Sequence, residues 1–363
     1  MESDILYLLE KPFCGEELSF DESLFIYENA PLALLMKAAY KFRMKIHPEN
    51  EVSWMIDRNV NISNVCITGC RFCNFSCSKN SSKAYVTTHE EYRKKINELF
   101  LLGGNQLLLQ GGLNPALDLQ FYCNLFEWLK NEFPKLKLHA LSPAEIDFIA
   151  RTENLSHEEV LKNLMNAGLD SLPGAGAEIL SDRVRQIISP LKIKSDVWLE
   201  VMKVAHRLGL LTSATMMFGH VETLQERIHH MLSIRKLQKE KPENAHGFLS
   251  FIPWPIYGQD TALMKQGLIK HFPTPVEYIR LIALSRLVLN NIKNIQASWL
   301  TVGKETASVC LYAGANDLGS IMIEENVVSS AGASFRIDAD EMQQLIIMSG
   351  FIPRKRNQDF TDA

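Results

Sequence analysis

The sequence predicts an α/β fold in which about eight short parallel strands alternate with helices and close into a (β/α)8 barrel. Short, nearly continuous apolar runs recur along the chain, separated by amphipathic stretches. This is the pattern of strands buried on both faces and of the helices that cover them. The 363 residues are 46% hydrophobic and 22% charged, the balance of a globular protein. An open, doubly wound parallel sheet is the structural alternative.

The pattern divides the chain into three sections. Residues 1–50 are predicted to form a helical N-terminal extension, because Asp21–Ser23 leads into apolar positions that recur at helical spacing. Residues 51–330 are predicted to form the barrel, and residues 331–363 a helical C-terminal tail that packs on it. No repeat, low-complexity tract or linker rich in Pro, Gly or Ser interrupts the chain.

The strands are predicted from their apolar runs. In chain order they are Asn59–Val65, Gln106–Gln110, Leu136–Leu141, Leu169–Leu172, Leu211–Phe218, Gly247–Ile252, Asn294–Trp299 and Ala315–Leu318. A helix is predicted over Thr88–Leu102, where Glu91 lies three residues after Thr88 as in a capping box. Functional side chains are expected just after the strands, because the site of such a barrel lies at the C-terminal ends of its strands.

Charge and apolar run length exclude several functional classes. Lys and Arg total 38 and Asp and Glu total 42, a net charge of −4, which is too small to predict nucleic-acid binding by bulk electrostatics. No apolar run approaches the roughly 18 residues of a membrane helix, and the first residues lack the basic segment of a secretory signal. We therefore expect a cytoplasmic protein with a small-molecule partner, and no binding to nucleic acid or membrane.

Four of the seven cysteines are clustered after the first predicted strand. Cys66, Cys70 and Cys73 have C-x3-C-x2-C spacing, so one short loop carries three thiolates that can wrap one face of an iron–sulfur cube and leave one iron open. Cys77 extends the run, and as a fourth ligand it would make the protein a plain electron carrier. A structural zinc site is a further alternative, although its four cysteines usually form two separated pairs.

The cysteine spacing resembles that of the radical S-adenosylmethionine (radical SAM) enzymes, and this resemblance implies a radical SAM (β/α)8 barrel of the TIM type. It implies a [4Fe–4S] cluster on Cys66, Cys70 and Cys73, whose open iron chelates S-adenosylmethionine (SAM) and cleaves it to a 5′-deoxyadenosyl radical. It also implies that Phe72 lies near the adenine of SAM. Such chemistry requires an electron donor such as a flavodoxin or a ferredoxin.

Further motifs follow the later strands. In radical SAM enzymes a glycine pair after the second strand exposes carbonyl groups to the methionine ammonium, and Gln110-Gly111-Gly112 stands there. Three more residues are predicted to bind the cofactor, namely Glu178, Arg183 and His220. The candidate catalytic residues, as proton acceptors, are His220, Glu178 and His139. A turn, a solvated arginine and structural histidines are the alternatives at these positions.

Longer sequence segments resemble those of the family of radical SAM enzymes that cyclise dehypoxanthine futalosine in the futalosine pathway of menaquinone biosynthesis. They are Asp57–Asn61, Gln110–Pro115, Gly168–Gly174, Thr215–Thr223, Ile252–Pro255, Ile295–Trp299, Gly314–Asp317 and Glu324–Asn326. Ile252–Pro255 favours this family over aminofutalosine synthase and the deazaflavin-forming synthase, which remain the alternatives. The resemblance implies that the radical takes a hydrogen from a ribose carbon, and that the ribosyl radical then adds to the benzoate ring.

The substrate-binding residues are predicted at the ends of the last strands and just after them. They are Trp254, Tyr257, Trp299, Asn316, Asp317 and Glu324. An aromatic ring at such a position can stack on a planar ligand, whereas the acidic residues suit ribose hydroxyls. The sequence departs from the family's usual residues at Asn74, Cys77, Ala175 and Tyr257–Gly258. Of these, Tyr257 is expected at the rim of the substrate pocket.

Overall fold

Helices and strands alternate along the chain as the apolar pattern predicts. The structure, a computed structural model, describes residues 2–257, 260–269, 271–324, 326, 332 and 335–363. Its helices are α1 (Glu2–Glu10), α2 (Phe20–Asn29), α3 (Leu32–Ile46), α4 (His89–Leu101), α5 (Leu119–Glu132), α6 (Pro143–Glu153), α7 (His157–Ala167), α8 (Asp182–Ile188), α9 (Ser195–Arg207), α10 (Leu224–Lys239), α11 (Ala262–Lys265), α12 (Pro275–Val288), α13 (Trp299–Val302), α14 (Lys304–Leu311) and α15 (Ala339–Met348), with a short 3-10 helix over Lys11–Cys14. Within these ranges every helix is too short or too polar to traverse a bilayer.

Seven parallel strands form the main sheet. The strands of the chain are β1 (Glu51–Met55), β2 (Asp57–Asn61), β3 (Gln106–Gln110), β4 (Lys137–Ala140), β5 (Ser171–Leu172), β6 (Leu211–Phe218), β7 (Phe248–Pro255), β8 (Asn294–Ile295), β9 (Asp317–Ser320) and β10 (Ile352–Lys355). Strands β2 to β8 lie side by side in chain order. A second sheet has the order β10-β1-β9.

Strand β9 closes the main sheet into a barrel because it contacts both of its edges. On the β8 side, Ala297 N–H donates to the carbonyl of Asp317 at 2.9 Å. On the other side, β9 pairs with β1, which leads directly into β2, and Ile321 N–H donates to the carbonyl of Met55 at 3.1 Å. The predicted barrel is therefore confirmed, and the open doubly wound sheet is not observed.

Several predicted elements match the structure in detail. β3 and β6 have the predicted bounds, and α4 begins after Thr88 with both hydrogen bonds of the predicted capping box to Glu91. The last predicted strand, Ala315–Leu318, is displaced, because β9 spans Asp317–Ser320. The shift places Asn316 and Asp317 at the start of the strand instead of its end.

The three helices before β1 lie against the outside of the barrel. α3 packs on α12, and α2 packs on α10 and α12. α2 begins with a capping box in which the Ser19 hydroxyl accepts from Glu22 N–H and the Glu22 carboxylate accepts from Ser19 N–H. The apolar face of α3, with Leu35, Ala39 and Phe42, is buried. Burial of such a face supplies most of the stability of helices this short.

The C-terminal tail contains a strand as well as the predicted helix. After α15, strand β10 pairs in parallel with β1 from Glu51 and Ile352 to Trp54 and Lys355. The sequence Ile-Pro-Arg-Lys of β10 lacks an alternating pattern, and its proline is tolerated because β10 is an edge strand. The predicted boundary between barrel and tail at residues 330 and 331 lies outside the described residues.

The chain after β10 covers the N-terminal end of the barrel. Asn105 donates to the side-chain oxygen of Asn357 at 3.1 Å, and Gln106 donates to that of Gln358 at 3.2 Å. The buried Arg356 donates two hydrogen bonds of 2.8 Å to the carboxylate of Asp317 at the start of β9. The tail thus forms the bottom of the barrel, opposite the end where the cysteine loop lies.

Candidate functional site

The cysteine loop follows β2 at the C-terminal end of the barrel. The thiols of Cys66, Cys70 and Cys73 are free and partly exposed. The Thr68 hydroxyl oxygen lies 3.0 Å from the sulfur of Cys66 and 3.4 Å from that of Cys70, and Leu113 N–H donates to the sulfur of Cys66 at 3.3 Å. Hydrogen bonds to sulfur are a usual means of tuning an iron–sulfur cluster.

The donor set fits a cluster better than a single metal ion. Within the described ranges no three His, Cys, Asp or Glu side chains converge as ligands of one ion. A [4Fe–4S] cluster does not require that convergence, because each thiolate binds its own iron. Three thiols on one loop, with a main-chain N–H and a hydroxyl group beside their sulfurs, meet that requirement.

Cys77 has a different setting from the other three cysteines of the run. Its N–H donates to the carbonyl of Asn64 at 2.9 Å, and its carbonyl accepts from Cys66 N–H at 3.1 Å. Its main chain therefore ties the end of the loop back to its beginning. Its thiol is free and partly exposed.

The glycine pair brings the end of β3 against the cysteine loop. A Cβ on Gly112 would overlap the carbonyl oxygen of Val65 and would lie 2.7 Å from the Cβ of Cys66. Only glycine allows so close an approach of two main chains. On the other side, Gly111 N–H donates to Glu145 at 3.1 Å, so this carboxyl group fixes the orientation of the peptide before the pair.

Glu145 was not predicted from the sequence. It lies in the first turn of α6, where the Ser142 hydroxyl donates to its carboxyl group at 2.7 Å. Burial raises the pKa of Glu145 to about 7, against the opposing effect of its hydrogen bonds and of Lys192. Ser142-Pro-Ala-Glu145 reads as an ordinary helix start directly after β4. The sequence does not reveal that the same carboxyl also holds Gly111.

Glu178, predicted for the cofactor and for catalysis, is the centre of a buried ion cluster. Lys192 donates to one carboxylate oxygen at 2.8 Å. Arg185 lies 3.5 Å from the other oxygen, which has no hydrogen-bond partner among the described residues. Burial acts to raise the pKa of Glu178, but Lys192 and Arg185 outweigh it and the pKa is lowered. The group is therefore an ionised carboxylate with one oxygen that is free of hydrogen bonds from the described residues.

The ion cluster adjoins the cysteine loop. The ammonium of Lys192 lies 5.8 Å from the ring centroid of Phe72, and the pKa of Lys192 is raised, against its burial, by Glu178 and by Cys70. Lys192 lies in the loop between α8 and α9, and no motif of the sequence singles it out. The structure thus brings Glu178 and Phe72 together and adds a cation between them.

The two candidate histidines, His139 and His220, differ in how many of their ring nitrogens have a hydrogen-bond partner. His139 Nδ1 lies 2.7 Å from the Ser171 hydroxyl, and within the described chain its Nε2 has no partner. Burial lowers the pKa of His139 to about 3, so the ring is neutral. In His220, Nε2 lies 3.0 Å from the Met217 carbonyl and Nδ1 accepts from Val221 N–H. His220 is therefore held within its own turn.

Arg183 is directed away from the predicted cofactor site. Its guanidinium donates to Glu226 at 2.9 Å and half of its side chain is exposed. Arg185, two positions on along α8, is buried instead and donates to the carbonyl of Ala177 at 2.7 Å. Residues two apart on a helix lie on different faces, which is why the inward arginine is Arg185.

Three predicted substrate residues are already bound by the protein itself. Asn316 accepts from Arg286 at 2.7 Å, Asp317 is paired with Arg356, and the Trp299 indole donates to a main-chain carbonyl at 3.0 Å. The prediction of Asn316 and Asp317 at the C-terminal end of a strand is wrong, because β9 begins at Asp317. Both lie near the bottom of the barrel.

The remaining predicted residues lie toward the open end. Trp254 and Tyr257, at the end of β7 and just after it, are partly exposed. Gln110 ends β3, and its amide lies 3.4 Å from a main-chain carbonyl. Glu324 accepts from Lys95 at 2.6 Å. Trp254 and Tyr257 are thus the predicted substrate residues that keep accessible surface and have no polar partner for their side chains among the residues that the structure describes.

A closed parallel barrel with three loop thiols at its C-terminal end and a glycine pair against them is the arrangement of a radical SAM protein. Residues 60–234 match the radical SAM superfamily, and residues 245–362 match the CofH/MqnC C-terminal region. The chain belongs to the radical SAM superfamily, in the family that carries this C-terminal region. Membership of the superfamily implies a [4Fe–4S] cluster and SAM.

Named relatives match nearly the whole chain. It is 39% identical over 353 residues to cyclic dehypoxanthine futalosine synthase of Halalkalibacterium halodurans, covering 97% of this chain and 93% of the relative. It is 38% identical over 355 residues to 5-amino-6-(D-ribitylamino)uracil–L-tyrosine 4-hydroxyphenyl transferase 2 of Methanosarcina mazei, covering 96% and 90%. Among solved structures, methylornithine synthase (PylB) matches with a TM-score of 0.72 at 18% identity over 97% and 98% of the two chains, a likeness of fold.

Proposed function

We propose that this chain acts as a cyclic dehypoxanthine futalosine synthase, which converts dehypoxanthine futalosine to its cyclic product in menaquinone biosynthesis. The observation that carries the proposal is 39% identity to a synthase of that name along 97% of this chain. The partly exposed thiol loop supports radical chemistry at the C-terminal end of the barrel. The cytoplasm as location, and a flavodoxin or ferredoxin as electron donor, are parts of the same proposal.

Cys66, Cys70 and Cys73 would hold the cluster, which with SAM supplies a 5′-deoxyadenosyl radical that takes a hydrogen atom from the substrate. The remaining cofactor contacts would come from Gln110–Gly112, Phe72 and Glu178. Close approach at Gly112 supports a main-chain contact to the methionine part. The free oxygen of Glu178 supports a hydrogen bond from a hydroxyl group of the cofactor.

His139 is the proton acceptor that the contacts favour. Ring closure onto the benzoate would end when the adduct loses an electron, which would return to the oxidised cluster, and a proton, which a base takes, so that the ring becomes aromatic again. His139 is neutral and its Nε2 has no partner within the described chain. Glu178 is engaged by two cations, and both ring nitrogens of His220 are occupied. A weak base suffices, because the oxidised adduct is strongly acidic.

The barrel would protect the radical and orient the substrate. A primary carbon radical must be kept from water and within contact distance of the hydrogen that it removes. Ile252 and Trp254 on β7 are partly exposed and would offer apolar surface to the benzoate ring. Tyr257 follows them at the open end.

A second candidate is the transfer reaction named for the Methanosarcina mazei relative, because its identity of 38% is nearly the same. Aminofutalosine synthesis is a further alternative within the same chemistry. The three reactions share the cofactors and differ in substrate, so only a substrate test separates them.

The test is anaerobic turnover with the cluster reconstituted. Reductant, SAM and dehypoxanthine futalosine are added and the small molecules are followed by mass spectrometry, with Cys70→Ala as the inactive control. Formation of 5′-deoxyadenosine with a product two hydrogens lighter than the substrate is expected. Formation of 5′-deoxyadenosine without that product reassigns the substrate, and tyrosine with 5-amino-6-(D-ribitylamino)uracil is tested next. An intact cluster that never cleaves SAM contradicts the radical assignment and supports a four-cysteine carrier.

A further inference from the structure

Four neighbouring strands place a mostly polar row inside the barrel. Asn59, Leu108, His139 and Ser171 are register partners across β2, β3, β4 and β5. Register partners in a parallel sheet point to the same face. The interior of such barrels is usually filled by Val, Ile and Leu, whereas three of the four members of this interior row are polar.

The row faces inward, toward accessible space. On β3, Leu107 and Leu109 are wholly buried, while Leu108 between them is partly exposed and is not part of the apolar core. On β2, Val60 belongs to that core, so Asn59 points to the opposite side. The row lies two residues before the ends of β2 and β3, about 7 Å below the ends of these strands.

The row leaves hydrogen-bond acceptors without donors. Asn59 is 4% exposed, yet its side-chain oxygen has no hydrogen-bond partner among the described residues. On the same face of β2, one carboxyl oxygen of Asp57 also lacks a partner there. Buried polar atoms in folded proteins nearly always have a partner, so an unpaired amide oxygen and an unpaired carboxyl oxygen on one strand call for a ligand or water.

We propose that Asn59, with Asp57 beneath it, binds hydroxyl groups of the substrate's ribose. A hydroxyl group can donate to the amide oxygen of Asn59, and it can donate to or accept from the carboxyl group of Asp57, whose pKa is raised by burial. This assignment rests on the proposed function. The proposed contacts to SAM lie higher, at the strand ends, so the ribose of SAM does not compete for this position.

The subsite also fits the proposed proton acceptor. Asn59 and His139 are two strands apart, about 10 Å at the usual spacing between strands. A ribose at Asn59 therefore leaves the benzoate ring on the His139 side of the row. This arrangement makes Asn59 a specificity-determining residue for the sugar.

The test measures binding without turnover. Cluster-loaded protein with SAM and no reductant is titrated by calorimetry with dehypoxanthine futalosine and with its 2′-deoxy and 3′-deoxy analogues. Asn59→Ala is expected to weaken binding of the substrate about tenfold, the effect of one buried hydrogen bond. For the analogue that lacks the bound hydroxyl, Asn59→Ala and the unchanged chain are expected to bind equally well. Val60→Ala, on the opposite face of β2, is the matched control and is expected to bind the substrate like the unchanged chain.

Each other outcome overturns the assignment. If Asn59→Ala weakens the binding of the substrate and of both analogues equally, Asn59 acts on the fold and not on a hydroxyl. If Asn59→Ala weakens the binding of none of these ligands, the unpaired oxygen of Asn59 contacts only water. If the unchanged chain binds no dehypoxanthine futalosine, the proposed function itself fails and the subsite fails with it. Iron content and melting temperature check each variant, and Asp57→Asn replaces Asn59→Ala if the latter does not load the cluster.

Discussion

Single residues of the cysteine run differ in what surrounds their sulfur. Cys66 accepts from a main-chain N–H and shares the Thr68 hydroxyl with Cys70, while Cys77 contributes its main chain to the closure of the loop. The main-chain bonds of Cys77 do not depend on its side chain. Its thiol is therefore dispensable if the cluster has three ligands.

We expect Cys77→Ala to retain the cluster and Cys70→Ala to lose it. The measurement is iron and sulfide content, together with the visible absorption of the reconstituted protein. A Cys77→Ala protein that loses its iron as fully as Cys70→Ala would establish the fourth ligand and the electron carrier.

The raised pKa of Glu145 predicts that the free energy of unfolding depends on pH. Its pKa rises from an ordinary 4.5 to about 7 on folding, so folding favours the protonated form. Its contribution is complete below about pH 4.5 and is lost as the pH rises to about 7, a change on the order of 3 kcal/mol. Between about pH 4.5 and about pH 7 the Glu145→Gln protein is expected to lose less free energy of unfolding than the unchanged chain. Urea unfolding at these two pH values is the measurement. Parallel pH profiles of the two proteins would contradict it.

The site residues show what the sequence alone can supply. Cys66, Cys70 and Cys73 were predicted because their spacing is local in the chain. Lys192 and Glu145 were not, because each acquires its role only when folding brings it to Glu178 or to Gly111. A lysine in a loop and a glutamate at a helix start have ordinary explanations until the fold is known.

At the scale of elements, the junction between β3 and the cysteine loop requires a glycine at position 112. We expect Gly112→Ala to impair cluster loading strongly, because its Cβ would overlap the main chain of Val65, which cannot move aside as a flexible side chain can. Iron content after reconstitution is the measurement. Gly15→Ala is the control: its φ of 80° costs about 1 kcal/mol in strain but its Cβ meets open space. Equal iron contents in the two variants would refute the steric argument.

Strand boundaries show the limits of apolar patterns. β3 was predicted with the correct ends because three leucines stand between two glutamines, and β6 because its run from Leu211 to Phe218 lies between Gly209-Leu210 and Gly219. β9 was placed two residues early, because the apolar residues Ala315 and Leu318 mark the ends of the predicted run. Asp317 is buried inside the sheet, where Arg356, far away in the chain, pairs with its carboxylate. A pairing of residues this far apart cannot be predicted from a short stretch of sequence.

At the scale of the whole molecule, the pair Arg356 and Asp317 joins the tail to the barrel. Both residues are buried, so Arg356→Ala leaves an unpaired buried carboxylate and is expected to cost about 3–5 kcal/mol of unfolding free energy. Arg183→Ala removes a half-exposed pair with Glu226 and is expected to cost at most about 1 kcal/mol. Chemical denaturation of both variants is the measurement. Similar losses would show that the tail does not stabilise the barrel.

The position of β10 also constrains the order in which the molecule is made. Asn50, just before β1, donates to the carbonyl of Gly350, 300 residues later, and residues after β10 cover the bottom of the barrel. A ribosome therefore delivers β1 long before its partner exists. During synthesis the edge of β1 is without this partner and the polar interior is open to water from below, a state in which unpaired strand edges promote aggregation. Closing such distant contacts is intrinsically slow, so nascent chains of this protein are expected to need chaperone protection until the last strand has been made.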